Sequence, residues 1–284
     1  MHFSELDTPA LCVDLDVLDK NIADLQAACD HLDIPLRVHT KTHKTPAIAQ
    51  RQVAAGAIGI VSQKLGEAEP MAAAGIEDIL IPYNIFGRSK LDRLTRLVKK
   101  ELSTITVACD SSATVDGLAQ AAATAGCTIR VMVEMDTGGG RVGTQSPADT
   151  LALAQHIDQS PGLNFMGVMT YPSNERARPF LDEVRDLTTR AGLPLHIISG
   201  GGTGSEEISK SLGCTETRIG SYAWEGMTRV GKREDLNPER CPLRMVVTVV
   251  STSRPGQAIV DAAKTEKIGD GKIFVSPVEQ TIRI

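Results

Sequence analysis

The segment Leu36-Arg-Val-His-Thr-Lys-Thr-His-Lys44 has the pattern of a short strand followed at once by a basic, hydroxyl-rich turn. Period-two alternation would place Arg37, His39 and Lys41 on one face of this strand. In a closed parallel barrel such a face can point inward, toward the mouth. A lysine that ends a strand there is a candidate Schiff-base nucleophile, because burial and cationic neighbours lower its pKa. A solvated basic turn is the alternative, and the last two residues of the segment are interpreted in that way.

Strand-like and helix-like segments alternate along most of the chain. The predicted strands cover residues 36–41, 57–61, 78–82, 104–109, 128–135, 164–169, 195–199 and 216–219. Every one except the last is followed by a helical segment, which favours a (β/α)₈ TIM-type barrel over a doubly wound open sheet. Further short strands are predicted at residues 244–253, 257–261, 272–275 and 281–283. We therefore predict a barrel over residues 1–235 and a small, shortened C-terminal β domain over residues 236–284.

The composition argues against several classes of partner. The 284 residues carry a net charge of −5 and only 3% aromatic residues, which argues against nucleic acid and anionic lipid as partners. No apolar run reaches the roughly 18 residues of a membrane span. The N-terminus lacks the basic region of a signal peptide. Six scattered cysteines are typical of reduced thiols, so the sequence predicts a cytoplasmic protein.

Two neighbouring strand ends carry residues that suit an anion. The loop Ser199-Gly-Gly-Gly-Thr-Gly-Ser205 follows the seventh predicted strand, and Gly220-Ser221 follows the eighth. Backbone N–H groups in such loops can converge on a phosphate, and barrels often bind phosphate after strands seven and eight. A tight flexible turn is the alternative. The agreement of two adjacent strand ends favours a phosphate site.

Two further side chains follow strands five and six. Arg141 lies in a glycine-rich loop beside Asp136, where it could donate to an anionic oxygen or form a surface ion pair. Tyr171 could pack, contact a cofactor ring or transfer a proton. A lysine at strand one together with a phosphate cradle at strands seven and eight indicates pyridoxal phosphate, with its aldehyde on Lys41.

An ordered set of motifs extends this interpretation to a family. The motifs are Thr8–Asp14, His39–Lys44, Gln63–Glu69, Asp136–Gly143, Ser199–Gly204 and Gly220–Tyr222. Across about residues 5–262 the chain resembles the D-threonine aldolase and D-serine dehydratase family of alanine-racemase-like, fold type III pyridoxal-phosphate enzymes. The resemblance implies that Lys41 holds the cofactor, that Arg141 donates to its 3′-oxygen, and that its ring is flanked by Gln63 and Tyr171. The residues it implies around the phosphate are Gly201, Gly202, Thr203, Gly220 and Ser221.

The resemblance also implies an activity. It predicts a homodimeric lyase that cleaves D-β-hydroxy amino acids to glycine and an aldehyde, with Lys41 and Tyr171 as candidate catalytic residues. Dehydration of D-serine or 3-hydroxyaspartate is the close alternative. An amino-acid racemase and a non-catalytic barrel that stores the cofactor remain further alternatives.

The metal site of the family is not visible in this sequence. The resemblance implies a divalent metal, bound in a longer β domain by a histidine with an acidic or cysteine ligand. Residues 255–261 match the start of that domain, but no histidine follows His196. We therefore predict no metal ligand in this chain.

Overall fold

The computed structural model describes residues 5–225, 238–253 and 259–261. It confirms the predicted fold class, because eight parallel strands close into a barrel in the order β2 to β9. The strands are β1 Ala10–Val13, β2 Leu36–His39, β3 Gly59–Val61, β4 Asp78–Ile81, β5 Thr104–Cys109, β6 Ile129–Met135, β7 Leu163–Thr170, β8 Ile197–Gly201, β9 Glu216–Ile219, β10 Leu243–Val246, β11 Val249–Ser251 and β12 Ile259–Val260. The helices are α1 Leu15–His31, α2 Pro46–Ala54, α3 Leu65–Ala73, α4 Arg88–Lys99, α5 Ser112–Ala125, α6 Pro147–Gln159, α7 Ala177–Arg190 and α8 Glu206–Ser211.

Local signals in the sequence explain where several helices begin and end. Helix α6 begins at Pro147, and the Ser146 hydroxyl accepts a hydrogen bond from the Asp149 amide. Helix α5 ends at Ala125 and is capped by Gly126, whose φ of 63° is left-handed and suits glycine. Such signals define the helix ends, from which the chain returns to the next parallel strand.

The first barrel strand ends two residues before the predicted position. It stops at His39, and residues 40–42 form a 3₁₀ turn. The amides of His43 and Lys44 both donate to the Thr40 carbonyl, which closes the turn. The period-two alternation therefore holds for Arg37 and His39 but not for Lys41, which leaves the strand at the barrel mouth.

The interior of the barrel has two halves of different chemistry. One half is an apolar cluster, formed by Val61, Leu80, Ala108, Met132 and Met169. The other half is a charged network, formed by Arg37, Asp78, Ser199, Glu216 and Arg218. Arg37 reaches Asp78 two strands away by passing Gly59, where a Cβ would lie 2.7 Å from the Arg37 Nη1. The missing side chain therefore makes room for the guanidinium.

The chain divides into two compact units, which are residues 22–222, holding the barrel, and residues 1–21 together with 223–284. In the second unit β1 pairs antiparallel with β10, and β11 pairs with β12. Strand β1 had no counterpart among the predicted strands. The predicted domain boundary between residues 235 and 236 and the predicted strands at 272–275 and 281–283 lie outside the described residues.

Two further expectations can be compared with the structure. Each of the six cysteines is a free thiol. Within the described ranges no helix combines the length and the apolar character that a bilayer crossing needs.

Candidate active site

A cavity of about 260 Å³ opens at the carboxyl ends of the barrel strands. Its lining is His39, Lys41, Thr42, Gln63, Pro82, Arg141, Met169, Tyr171, Gly202, Thr203, Arg218, Gly220 and Ser221. The barrel thus brings together all the predicted site residues except Gly201, which is buried at the end of β8 and does not line the cavity. Parallel strands place their carboxyl ends at one mouth, so residues far apart in sequence meet there.

Lys41 lies near one aromatic ring and two cationic groups. Its Nζ is 5.9 Å from the centroid of the Tyr171 ring, and the Arg141 Cζ is 5.1 Å from the same centroid. Partial burial, followed by the charges of Arg141 and Arg218, lowers the pKa of Lys41. The site therefore raises the fraction of neutral amine, which is the nucleophilic form.

Arg141 pairs with a carboxylate, although not with the one beside it in sequence. Its Nη2 is 3.4 Å from the Oε1 of Glu134, a buried residue on β6. Burial raises the pKa of Glu134, and the two arginines Arg218 and Arg141 oppose that rise. Asp136 instead accepts the amides of three consecutive glycines at 2.8 to 3.0 Å. Asp136 thus orders the loop that carries Arg141, while the ion pair of Arg141 is formed with Glu134.

The edge of the cavity at β8 and β9 is built from glycines and hydroxyls. The Thr203 Oγ1 and the Ser221 Oγ lie 2.6 Å apart at this edge. A Cβ on Gly220 would fall 2.6 Å from the His39 carbonyl oxygen, so only glycine fits there. The amides of Gly201 and Gly202 are already engaged, by the Ser173 hydroxyl and the Arg218 carbonyl respectively. These two amides are thus engaged within the protein, whereas the Thr203 and Ser221 hydroxyls lie at the cavity edge, where they could donate to an anion.

Arg218 is a cavity residue that the sequence reasoning missed. Its guanidinium donates through Nη1 to the Ser199 hydroxyl at 2.5 Å and through Nη2 to the Thr170 carbonyl at 2.6 Å. Burial lowers the pKa of Arg218, while Glu216 and Glu134 raise it. The signal that could have found it is the alternation on β9, which puts Arg218 on the same inward face as Glu216.

His39, which the alternation placed on the inward face of its strand, lines the cavity although it was not among the predicted site residues. Burial, then the charges of Lys41 and Arg218, lowers its pKa to about 3. The imidazole is therefore neutral near pH 7, and its Nδ1 accepts from the Lys41 amide at 3.4 Å. It acts on the backbone of the lysine turn and does not add charge to the cavity.

The interpretation of His43 as a solvated turn residue is wrong. His43 is half-buried, and its Nε2 lies 3.2 Å from the Gln52 Oε1. The Gln52 amide in turn donates to the Tyr222 hydroxyl at 2.8 Å. Burial lowers the pKa of His43 to about 4, so this histidine is a neutral packing group.

A metal site does not emerge from the part of the chain that the structure describes. No three side chains of histidine, cysteine, aspartate or glutamate converge there in a way that could hold an ion. The described residues therefore do not fit the divalent metal that the resemblance implies, and no chemical step is derived through one.

Comparison with protein families gives one extended match. Residues 13–226 match the model described as alanine racemase, N-terminal domain. Among curated relatives, D-threonine aldolase of Arthrobacter sp. is 36% identical over 96% of this chain and 77% of its own length. D-threo-3-hydroxyaspartate dehydratase of Delftia sp. is 32% identical over 90% of this chain and 71% of its own length.

Solved structures agree with the sequence relatives. The crystal structure of D-threonine aldolase from Filomicrobium marinum superposes with a TM-score of 0.77 at 32% identity, over 92% of this chain and 74% of that one. A separate local match, 75% identical over 28 residues, is to the nitrogen regulatory protein P-II of Cereibacter sphaeroides and spans only a tenth of this chain. The extended matches in sequence and in structure decide the assignment: the chain belongs to the D-threonine aldolase and D-serine dehydratase family of alanine-racemase-like, fold type III pyridoxal-phosphate enzymes.

Proposed function

We propose that this chain is a pyridoxal-phosphate lyase that cleaves D-β-hydroxy amino acids to glycine and an aldehyde, with the cofactor on Lys41. The observation that carries the proposal is the environment of the Lys41 amine. It opens into a cavity, and burial and two arginines lower its pKa. A structural lysine in a solvated turn would have neither property.

The chemistry of the lining supports the cofactor. The described lining carries three cationic side chains, Lys41, Arg141 and Arg218, and no carboxylate. An anionic phosphate and a substrate carboxylate both suit such a cavity. The Thr203 and Ser221 hydroxyls supply neutral donors at the glycine-rich edge. When bound, pyridoxal phosphate supplies an electron sink for the carbanion that cleavage leaves on the substrate.

Each residue of the chain then has a definable task. Lys41 would hold the cofactor through its Nζ, and its neutral amine would be able to accept or donate a proton. Arg141 and Arg218 hold anionic oxygens of the cofactor and the substrate. Tyr171 lies at one side of the cavity, where its ring faces both Lys41 and Arg141 and attracts their positive charges. Gln63, which follows the end of β3, lines the cavity and supplies a side-chain amide.

Dehydration is the second candidate function. Its support is the similarity to D-threo-3-hydroxyaspartate dehydratase, which reaches 32% identity over 90% of this chain. The same arrangement of lysine and cations serves both reactions, because the same carbanion chemistry underlies both. Product identity, rather than the geometry of Lys41, distinguishes the two.

The test combines trapping of the cofactor with product analysis. Borohydride reduction after incubation with pyridoxal phosphate should attach one pyridoxyl group to Lys41, and Lys41→Ala should abolish both this adduct and the visible Schiff-base band. An unchanged band in Lys41→Ala would refute the assignment. Aldehyde release from D-threonine, with and without added Mn²⁺, indicates the aldolase. Keto-acid release from D-serine or 3-hydroxyaspartate indicates the dehydratase, racemised product indicates a racemase, and bound cofactor without turnover indicates a carrier.

Two broader expectations accompany this function. We propose that the protein is a homodimer, as the family resemblance implies, and sedimentation of the full chain tests this. We also propose a cytoplasmic location, which the six free thiols support. Fluorescence imaging of the tagged protein checks it.

A further inference from the structure

The turn that carries Lys41 is tied to the strands on both sides of β2. On one side the Thr40 Oγ1 donates to the Val61 carbonyl, at the end of β3, over 3.0 Å. On the other side the Thr42 Oγ1 donates to the Gly220 carbonyl, after β9, over 3.2 Å. These bonds fix the residues before and after the lysine, but neither one touches Lys41 itself.

Lys44 does contact Lys41, from a backbone conformation that costs strain. Its φ is +56°, in the left-handed region that favours glycine. From there its Nζ donates to the Lys41 carbonyl at 2.9 Å and lies 3.5 Å from the Oε1 of Glu67. A residue chosen only for the turn would be glycine or asparagine. The side-chain contacts of Lys44 supply a reason for a lysine at this position.

Glu67 extends the connection to a second residue of the cavity lining. It lies in the first turn of α3, where 7% of the residue is exposed. Its Oε2 accepts a hydrogen bond from the Gln63 amide at 3.1 Å. The ion pair of Lys44 and Glu67 thus joins the Lys41 carbonyl to the Gln63 amide, and both of these residues line the cavity.

We propose that Lys44 and Glu67 are positioning residues, which hold Lys41 and Gln63 at a fixed separation across the ends of β2 and β3. The proposal rests on the proposed function, in which Lys41 is the cofactor lysine. Both bonds to the backbone involve a charged partner, and such bonds are shorter and stronger than neutral ones. Small errors in the placement of a reacting group can cost about a hundredfold in rate, so a dedicated brace has a use here.

The test compares variants of the full chain that separate strain from contact. Lys44→Gly removes the side chain but suits the left-handed backbone, whereas Lys44→Met keeps the stem and removes the ammonium. Glu67→Gln removes the charge and keeps an amide oxygen for the Gln63 amide. Lys64→Met changes an exposed lysine at the start of α3 that makes no side-chain cap, and serves as the matched control.

Two measurements are made on each variant. The first is the rate at which pyridoxal phosphate attaches to Lys41, which is measured by borohydride trapping at successive times and by the mass of the peptide that contains Lys41. The second is hydrogen exchange of the Gln63 amide in cofactor-free protein. We expect both Lys44 variants to slow attachment about tenfold and to speed exchange, with a smaller change in Glu67→Gln. Lys44→Arg should restore part of the rate, and Lys64→Met should match the wild type.

The proposal is overturned if Lys44→Gly attaches the cofactor at the wild-type rate with unchanged exchange at Gln63. Slower cofactor attachment together with faster exchange of the Gln63 amide in Lys64→Met would also overturn it, because the effect would then not be specific to Lys44 and Glu67. If the wild-type chain fails to trap pyridoxal phosphate on Lys41, the proposed function fails instead. In that event the exchange rate of the Gln63 amide in Lys44→Met still decides whether the brace exists.

Discussion

The two halves of the barrel interior differ in chemistry and in the strands that build them, because strands β3 to β7 supply the apolar cluster and strands β2, β4, β8 and β9 supply the charged network. The apolar cluster fills its half with side chains that carry no charge. The charged network instead runs from Asp78 through Arg37, Glu216 and Ser199 to Arg218, which reaches the cavity. The apolar half stabilises the barrel by burial, and the charged half places a cation at the floor of the candidate site.

In the charged half, the position of the side chains is favoured over apolar packing. Ionic groups inside a protein cost several kcal/mol of desolvation, and well-packed apolar residues often serve stability as well or better. In the charged network the strong acceptor Glu216 lies between Arg37 and, through Ser199, Arg218. Such an arrangement is expected where the direction of a guanidinium matters more than the stability it adds.

The largest expected effect comes from breaking the centre of the charged network. Glu216→Ala should lower the free energy of unfolding by about 3–5 kcal/mol, because it leaves two buried guanidinium groups with less counter-charge. Urea titration measures the loss. Glu69→Ala is the control, since it removes a half-exposed partner of Arg93 that should contribute about 0–1 kcal/mol. Equal losses in the two variants would contradict the distinction.

A cavity in the apolar cluster should cost stability without disturbing the lysine. Met132→Ala should lower the free energy of unfolding by about 2–5 kcal/mol, because Met132 is only 1% exposed. The rate of cofactor attachment to Lys41 should stay at the wild-type value. Met245→Ala, at a position with 58% exposure, is the matched control. A slowed attachment in folded Met132→Ala would show that the two halves are not separable.

Acid should lower the stability of the protein through His39 and His43, whose pKa values burial lowers. His39 and His43 have folded-state pKa values near 3 and 4, below the ordinary value of 6.5. The unfolded chain therefore binds more protons than the folded chain as the pH falls below 6.5. Each histidine should lower the free energy of unfolding by up to about 1.4 kcal/mol for every pH unit below 6.5. The effect of His43 should level off near pH 4 and that of His39 near pH 3, because each is protonated in the folded chain below its pKa.

Urea titrations at several pH values measure this slope. His39→Asn should flatten the slope, because it removes the group whose pKa is lowered most. A slope that is unchanged in His39→Asn would contradict the lowered pKa. Above pH 6.5 the titration of these two histidines should add no pH dependence to the free energy of unfolding.

The smallest expected effect concerns the ring at the mouth. Tyr171→Leu removes the ring that Lys41 and Arg141 face, a contact that contributes about 0.5–1 kcal/mol at exposed sites. The affinity for pyridoxal phosphate should fall about two- to fivefold. Tyr171→Phe should keep the affinity, and Tyr83→Leu, at an equally exposed position, should leave it unchanged. A fall in turnover but not in affinity in Tyr171→Phe would assign the hydroxyl a proton-transfer role.

Much of the fold was predictable because periodicity and stop signals are local. Each predicted barrel strand overlaps an observed one, and the eight regular units correctly favoured closure. The exception at the end of β2 has a local cause of its own, since hydrogen bonds to the Thr40 carbonyl turn the chain early. Strand β1 escaped prediction because its partner β10 lies more than 200 residues away.

The candidate site was predictable only in part. Lys41, Arg141 and Tyr171 follow strand ends, which is where active sites of such barrels lie, and they do line one cavity. Their roles in binding and catalysis stay predictions. Arg218 and His39 lie within strands, and their importance depends on closure of the barrel, which turns one face of each strand into an interior.

The sequence by itself determined the order of strands and helices, the lysine at the mouth and the membership in a family, because all three depend on local spacing and ordered motifs. Only the tertiary structure decided the electrostatics. Closure of the barrel buries Arg37 and Arg218 with Glu216, neutralises His39, and lowers the pKa of Lys41. Each of these effects needs partners from distant strands together with loss of water, and none of them is encoded at any single position.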